Sequence, residues 1–137
     1  MELNYNCIRD VMKYLEKHPS YVLNDDNQVE HHPISLTTIC ENLPNYPKDV
    51  VFYVITRLDE AGFLSVSSQW AGDCVYLCYV NYITYAGHEF LEKIKDDTVW
   101  KKTLGFAGTV GNFSLKMIGE ISEAVATAYF KQLLGVN

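Results

Sequence analysis

The segment Ile83-Thr84-Tyr85-Ala86-Gly87-His88-Glu89-Phe90-Leu91-Glu92-Lys93-Ile94 decides how this chain is read. Thr84 has the chemistry of a helix N-cap, because its hydroxyl oxygen can accept a backbone N–H of the first turn. In the helix that follows, Gly87, Leu91 and Ile94 fall on one side, and Glu89 and Lys93 stand as an i,i+4 pair. Toward the N-terminus, residues 74–82 are rich in Val, Leu and Tyr and predict a strand. Residues 63–67 alternate in polarity and predict its antiparallel mate, with the Gly72-containing stretch 69–73 as the turn. A helix precedes this hairpin. It starts at Pro47, carries the stripe Val51, Val54, Ile55 and Leu58, and ends at Gly62, a residue at ease in the left-handed conformation.

Ser35 predicts the cap of one more short helix, with Leu36, Ile39, Cys40 and Leu43 facing inward. The break at residues 42–47 then joins two helices in the manner of a helix-turn-helix. With the hairpin as wing, the predicted fold is α+β, mainly α: a winged helix-turn-helix with a C-terminal helical extension. Upstream, residues 5–17 form an amphipathic helix capped by Asn4 or Asn6 and stopped by His18-Pro19. Residues 24–27 form a solvated turn, and residues 28–34 add a short strand. Downstream, Asp97 caps one or two turns through Trp100, residues 105–112 are a flexible link, and a long amphipathic helix starts at Ser114. The expected organisation is a winged-helix domain over 1–104, then a glycine-containing linker and C-terminal helix over 105–137.

Three motifs carry a family resemblance: Asn6-x-x-Arg9-Asp10; Tyr53-x-Ile55-x-x-Leu58-x-x-Ala61-Gly62-Phe63-Leu64; and Ile83-Thr84-Tyr85-x-Gly87-His88-Glu89-Phe90-Leu91-x-x-Ile94-x-Asp96-Asp97-x-Val99-Trp100. Phe113-Ser114-Leu115 is a further similar element. Through them the chain resembles a winged-helix family of unknown function found in Gram-positive bacteria and their phages or prophages. The resemblance spans nearly the whole chain. It implies a fold and a mobile-element setting, and no catalytic residues.

The 137 residues carry a formal charge of −6, which argues against indiscriminate nucleic-acid binding. The N-terminus lacks the basic and apolar regions of a signal peptide, and no stretch is long enough to span a bilayer. A cytoplasmic protein with no membrane partner is expected, and Cys7, Cys40, Cys74 and Cys78 are read as reduced and mostly buried. Cys74 and Cys78 lie about 13 Å apart if extended, too far to share one tetrahedral metal ion. His31-His32 lack further ligands nearby, and Gly105-x-x-Gly108-x-x-Gly111 lacks the strand and Gly-Lys-Ser/Thr ending of a phosphate loop. No metal, no cofactor and no enzymatic activity are therefore expected.

Two functions compete. In the first, the helix from Pro47 reads double-stranded DNA as a transcriptional regulator, with Lys48, Tyr53 and Arg57 as contacts. Against it, residues 45–62 hold Lys48 and Arg57 opposite Asp49, Asp59 and Glu60, and residues 65–74 contain no Lys or Arg. In the second, a Tyr-rich acidic surface binds another protein without catalysis. The C-terminal helix adds a homodimer to either, with Leu115, Ile118, Val125 and Tyr129 as its self-association stripe and Ala124, Ala126 and Ala128 allowing close approach.

Overall fold

The computed structural model describes residues 1–110 and 113–135. Among them are six helices and two small antiparallel sheets, a mainly helical α+β chain. The elements run α1 (Tyr5–Lys17), β1 (Tyr21–Leu23), β2 (Val29–His31), β3 (Ile34–Ser35), α2 (Leu36–Asn42), α3 (Lys48–Glu60), β4 (Leu64–Ala71), β5 (Cys74–Ile83), α4 (Tyr85–Ile94), α5 (Asp97–Val110) and α6 (Leu115–Leu134). They form two compact units: Leu3–His88, and Glu89–Asn137 together with Met1–Glu2.

In the Leu3–His88 unit, Asn4 rather than Asn6 caps α1, its Oδ1 accepting the Cys7 N–H at 2.9 Å. The 3–4 spacing of Ile8, Val11, Met12 and Leu15 turns one face of α1 inward, and α3 meets it with Val51, Val54, Ile55 and Leu58, all four fully buried. Ser35 caps α2 through Thr38 N–H, while Leu36 and Ile39 point into the same core; Cys40 and Leu43 reach it only partly. The sheet order is β3-β5-β4, with Leu64, Cys78 and Val80 as its buried face. Two register shifts occur along β4–β5, between Ser65/Val66 and between Gln69/Trp70; each inserts one extra residue, Asn81 and Tyr76, into β5 and leaves β4 regular. Gly72 takes φ +63° at the tip.

A compact knot of backbone contacts joins the end of α3 to the start of α4. Gly62, at φ +82°, reverses the chain, and Phe63 N–H reaches back to Leu58 O at 2.9 Å. Thr84 N–H then donates to Phe63 O at 3.1 Å, and Thr84 Oγ1 donates to Gly62 O at 2.5 Å. The same Oγ1 accepts Gly87 N–H at 3.0 Å, so the cap of α4 also clamps the exit of α3. Gly87 is packed directly against Phe63 O, and a Cβ there would also lie 2.7 Å from Ile83 Cγ2.

Several expectations are corrected. Pro47 is the residue before α3 rather than its first, a one-residue shift at a terminus. The strand expected over 28–34 divides into β2 and β3, and β2 pairs with an unforeseen β1 around the 24–27 turn, where Asn24 Oδ1 accepts N–H groups of Asp26 and Gln28. In the Glu89–Asn137 unit, Asp96 rather than Asp97 caps α5, accepting Val99 N–H at 2.9 Å. That helix continues through Gly105 and Gly108, where a linker was expected; Gly111 and Asn112 lie outside the described residues. The reason is a buried stripe of Val99, Trp100, Thr103 and Ala107 that carries helical packing past the glycines. Thr103 can be buried because its Oγ1 donates to Val99 O at 2.8 Å and lies 3.2 Å from Ser122 Oγ of α6. Lys93 pairs with Glu123 at 3.3 Å, and not with Glu89.

Glycine substitutions of opposite effect follow from this geometry. Gly87→Ala should destabilise the fold by about 1–3 kcal/mol, because overpacking against a backbone carbonyl outweighs the ~1 kcal/mol gained in helix propensity. Gly105→Ala and Gly108→Ala, where an added Cβ meets nothing within 4 Å, should each stabilise by about 0.5–1 kcal/mol. Urea denaturation of the three variants checks both signs.

Candidate interaction face on α3 and the β4–β5 hairpin

The half-exposed side of α3 carries Phe52, Tyr53, Thr56 and Arg57. The helix spacing sets Tyr53 and Arg57 one turn apart, and the Arg57 guanidinium carbon sits 5.1 Å over the Tyr53 ring. Arg57 also pairs with Glu60 at 2.5 Å. Its Nε is buried without an acceptor. The guanidinium is thus held by a ring and a carboxylate of its own helix, which lowers its availability to a phosphate.

Lys48, the first residue of α3, is placed apart from this pair. It borders a shallow cavity of about 240 Å³ that Ser35, Thr37, Tyr76 and Tyr79 also line. Of the three sequence-predicted contacts, the structure therefore brings Tyr53 and Arg57 together and leaves Lys48 near β5.

One residue that sequence reasoning did not single out completes the face. Trp70 of β4 shares the parity of Leu64, Val66 and Ser68, and so points to the α3 side of the hairpin. Its ring stands edge-on to Phe52, centroids 6.0 Å apart and planes at 71°. Trp70 is nevertheless 58% exposed. The available signal was a tryptophan beside the turn of a hairpin with a single charge, Asp73. Tyr76 and Tyr82 of β5 are exposed as well, but Tyr82 pairs with Ser65 and so lies on the opposite side of the hairpin from Trp70.

The electrostatics are one-sided. No Lys or Arg occurs between Arg57 and Lys93. The Leu3–His88 unit holds five basic residues (Arg9, Lys13, Lys17, Lys48, Arg57) against ten acidic ones, and Arg9 is buried. Asp49, Asp59, Glu60 and Asp73 occupy the exposed positions of α3 and the hairpin tip.

A family model described as "Hypothetical protein (DUF2513)" matches residues 2–112. The chain belongs to the DUF2513 family. No curated protein and no solved structure matches it.

Cys7 and Cys78 are buried and Cys40 is partly so, while Cys74, exposed at the hairpin, departs from the expected burial. Burial, then the negative charge of Asp10, pushes the Cys7 thiol up to about 12, and burial also raises Cys40 and Cys78. Such thiols are poor nucleophiles. Burial and a 2.6 Å hydrogen bond donated to Asp10 Oδ2 raise the Tyr46 phenol as well. Among the described residues, no three of His, Cys, Asp or Glu converge as metal donors. His31 Nε2 instead lies 3.1 Å from Asn81 O, and His18 Nε2 lies 3.1 Å from His32 O. No described helix is long and apolar enough to cross a membrane.

The raised thiol has a pH consequence of definite sign. A group whose folded pKa lies above its unfolded value stabilises the fold below the unfolded value and stops doing so as pH rises through the folded one. For Cys7 that window runs from 9.0 to about 12. Stability should fall above pH 9 by about 1 kcal/mol per unit from this group, and Cys7→Ala should make that fall shallower in denaturant titrations. In native protein a thiol reagent should label Cys74 first.

Proposed function

We propose that this DUF2513 protein is a non-enzymatic winged-helix-type module, of phage or prophage character, that binds another protein through the aromatic face of α3 and the β4–β5 hairpin. The observation that carries this reading is the charge gap: the hairpin presents Trp70 beside Phe52, on a stretch without a single Lys or Arg. Exposed Trp and Tyr are the residue types that anchor protein interfaces, where they bury much area at low entropic cost. The acidic positions around them favour a partner surface that is basic at its rim.

A second reading keeps the first function expected from the sequence, a transcriptional regulator on double-stranded DNA, with Lys48, Tyr53 and Arg57 as contacts. What favours it is the order α2, α3, hairpin, the order in which a winged helix-turn-helix presents its second helix to the major groove. Against it, most protein–DNA hydrogen bonds go to phosphate and sugar, and Arg57 must first leave Glu60.

One pair of measurements separates the two. In a gel-shift assay on mixed genomic fragments at low salt, no retardation is expected; retardation that weakens steeply with salt would favour DNA. In affinity capture from the producing cells, the wild-type chain should retain a discrete protein that Trp70→Ala loses, the variant keeping wild-type circular dichroism. Equal retention by both chains would remove the face from consideration.

A further inference from the structure

Of the stripe expected to self-associate, Leu115 and Ile118 are covered inside the chain, 8% and 0% exposed, and only Val125 and Tyr129 stay partly open. A second copy thus lacks half of the surface expected for it. A polar hollow in the Leu3–His88 unit carries a more definite ligand chemistry. Strand β5 is flanked unevenly. β4 runs along one side of it, whereas β3 covers the other side at Tyr79 and Val80 alone, because the chain turns into α2 at Leu36. From Val75 to Cys78 that side has no strand beside it among the described residues. The hollow of about 240 Å³ opens there. Consecutive residues 75–79 line it, and neighbours on a strand point to opposite faces, so the hollow follows the edge of β5 rather than one face of the sheet. Such an edge offers a row of backbone N–H and C=O groups on which another strand can pair. Residues 74–82 set no charged residue and no proline against that pairing.

The hollow also has a charge of one sign. Lys48, the first residue of α3, lines it together with the hydroxyl-bearing Ser35, Thr37, Tyr76 and Tyr79; among the described residues no Asp or Glu does. Lys48 enters no ion pair among the described residues either. In a unit whose acidic residues outnumber its basic ones, this is an uncommitted ammonium in a place free of carboxylates. We propose that the hollow receives an extended acidic peptide of another protein, which pairs its backbone with residues 75–78 of β5 beyond the end of β3 and sets an Asp or Glu carboxylate against Lys48. Edge and ammonium select this occupant jointly. In strand addition the main-chain hydrogen bonds give affinity, and the places for side chains give the choice of sequence. A carboxylate answers the ammonium, and hydroxyl groups donate to it as well. Leu36, Val75 and Leu77 give a neighbouring side chain of the peptide an apolar seat. Duplex DNA meets only half of these demands. A phosphate suits Lys48, but a duplex has no row of N–H and C=O groups to lay along a strand, and no second Lys or Arg lines the hollow.

Selection of short random linear peptides, displayed on phage, against the immobilised full chain tests this. Enriched sequences should place an Asp or Glu among β-branched residues; no enrichment over the bare support overturns the proposal. A synthetic peptide of an enriched sequence should bind Lys48→Gln at least about tenfold more weakly than wild type. Lys48 is exposed, so this variant should keep wild-type circular dichroism, and equal affinity for the two chains overturns the proposal. Methylating alternate amide nitrogens of the peptide should abolish binding, because strand pairing needs those N–H groups; undiminished binding overturns it. In amide NMR spectra the shifts should centre on residues 75–79 and Lys48, whereas shifts centred on β4 place the peptide on the other edge of the sheet and reject the site. Displacement of the peptide by mixed DNA fragments, itself lost in Lys48→Gln, assigns the ammonium to phosphate and overturns the proposal equally. The hollow shares no residue with the Trp70–Phe52 face, so its failure leaves that face where it is.

Discussion

The hydroxyl of Thr84 holds the Leu3–His88 unit to one connectivity. It donates to Gly62 O and accepts from Gly87 N–H, while the Thr84 backbone N–H takes up Phe63 O. One residue therefore satisfies the open carbonyls at the end of α3 and an open N–H at the start of α4. The contact is possible only because Gly87 has no side chain to displace Phe63 O. It also fixes where the hairpin begins and ends, since Leu64 pairs with Ile83 immediately beside it. With that end pinned, the alternation of β4 carries Trp70 to Phe52, and the aromatic face exists as a consequence of a backbone junction some distance along the strand.

Electrostatics then sort what such a face can do. A surface built for phosphate needs several free cations. This one has Arg57 stacked on Tyr53 and paired with Glu60, and Lys48 at the far end of the helix. An aromatic surface with acidic surroundings instead favours a macromolecule whose own anchors are apolar and whose rim is basic. The buried thiols are held neutral by desolvation, and among the described residues no cluster of metal donors forms.

Much of the architecture was legible because it is written in local periodicity. The stripes of α1 and α3, the Ser35 and Thr84 caps, the Gly62 exit and the hairpin around Gly72 all follow from side-chain spacing and backbone freedom. What was not legible depends on partners far away in sequence. Gly105 and Gly108 look like breakers until Thr103 and Ala107 are known to be buried. Lys93 looks committed to Glu89 until Glu123 of α6 is within reach. The β1–β2 hairpin has exposed Tyr21, Leu23 and Val29 and so lacks the one-sided burial that makes strands recognisable. Tyr53 and Arg57 could be placed on the outer face of α3 from spacing alone; that they occupy each other could not. The α6 stripe reads as one continuous surface in sequence, whereas its first half belongs to the chain's own interior.

The hydroxyl pair of Thr103 and Ser122 has a consequence for how this chain tolerates change. Both residues are sealed from water, and each oxygen has the other within hydrogen-bonding distance. Replacing Thr103 alone takes this partner from the Ser122 hydroxyl in a dry environment, whereas Thr103 keeps Val99 O if Ser122 is replaced. Replacing both by small aliphatic groups removes the penalty and also removes a polar contact that favours one sliding position of α5 against α6. Natural drift at these two sites is therefore expected to be coupled, and a hairpin engineered to be purely greasy there would gain tenacity at the expense of a unique alignment.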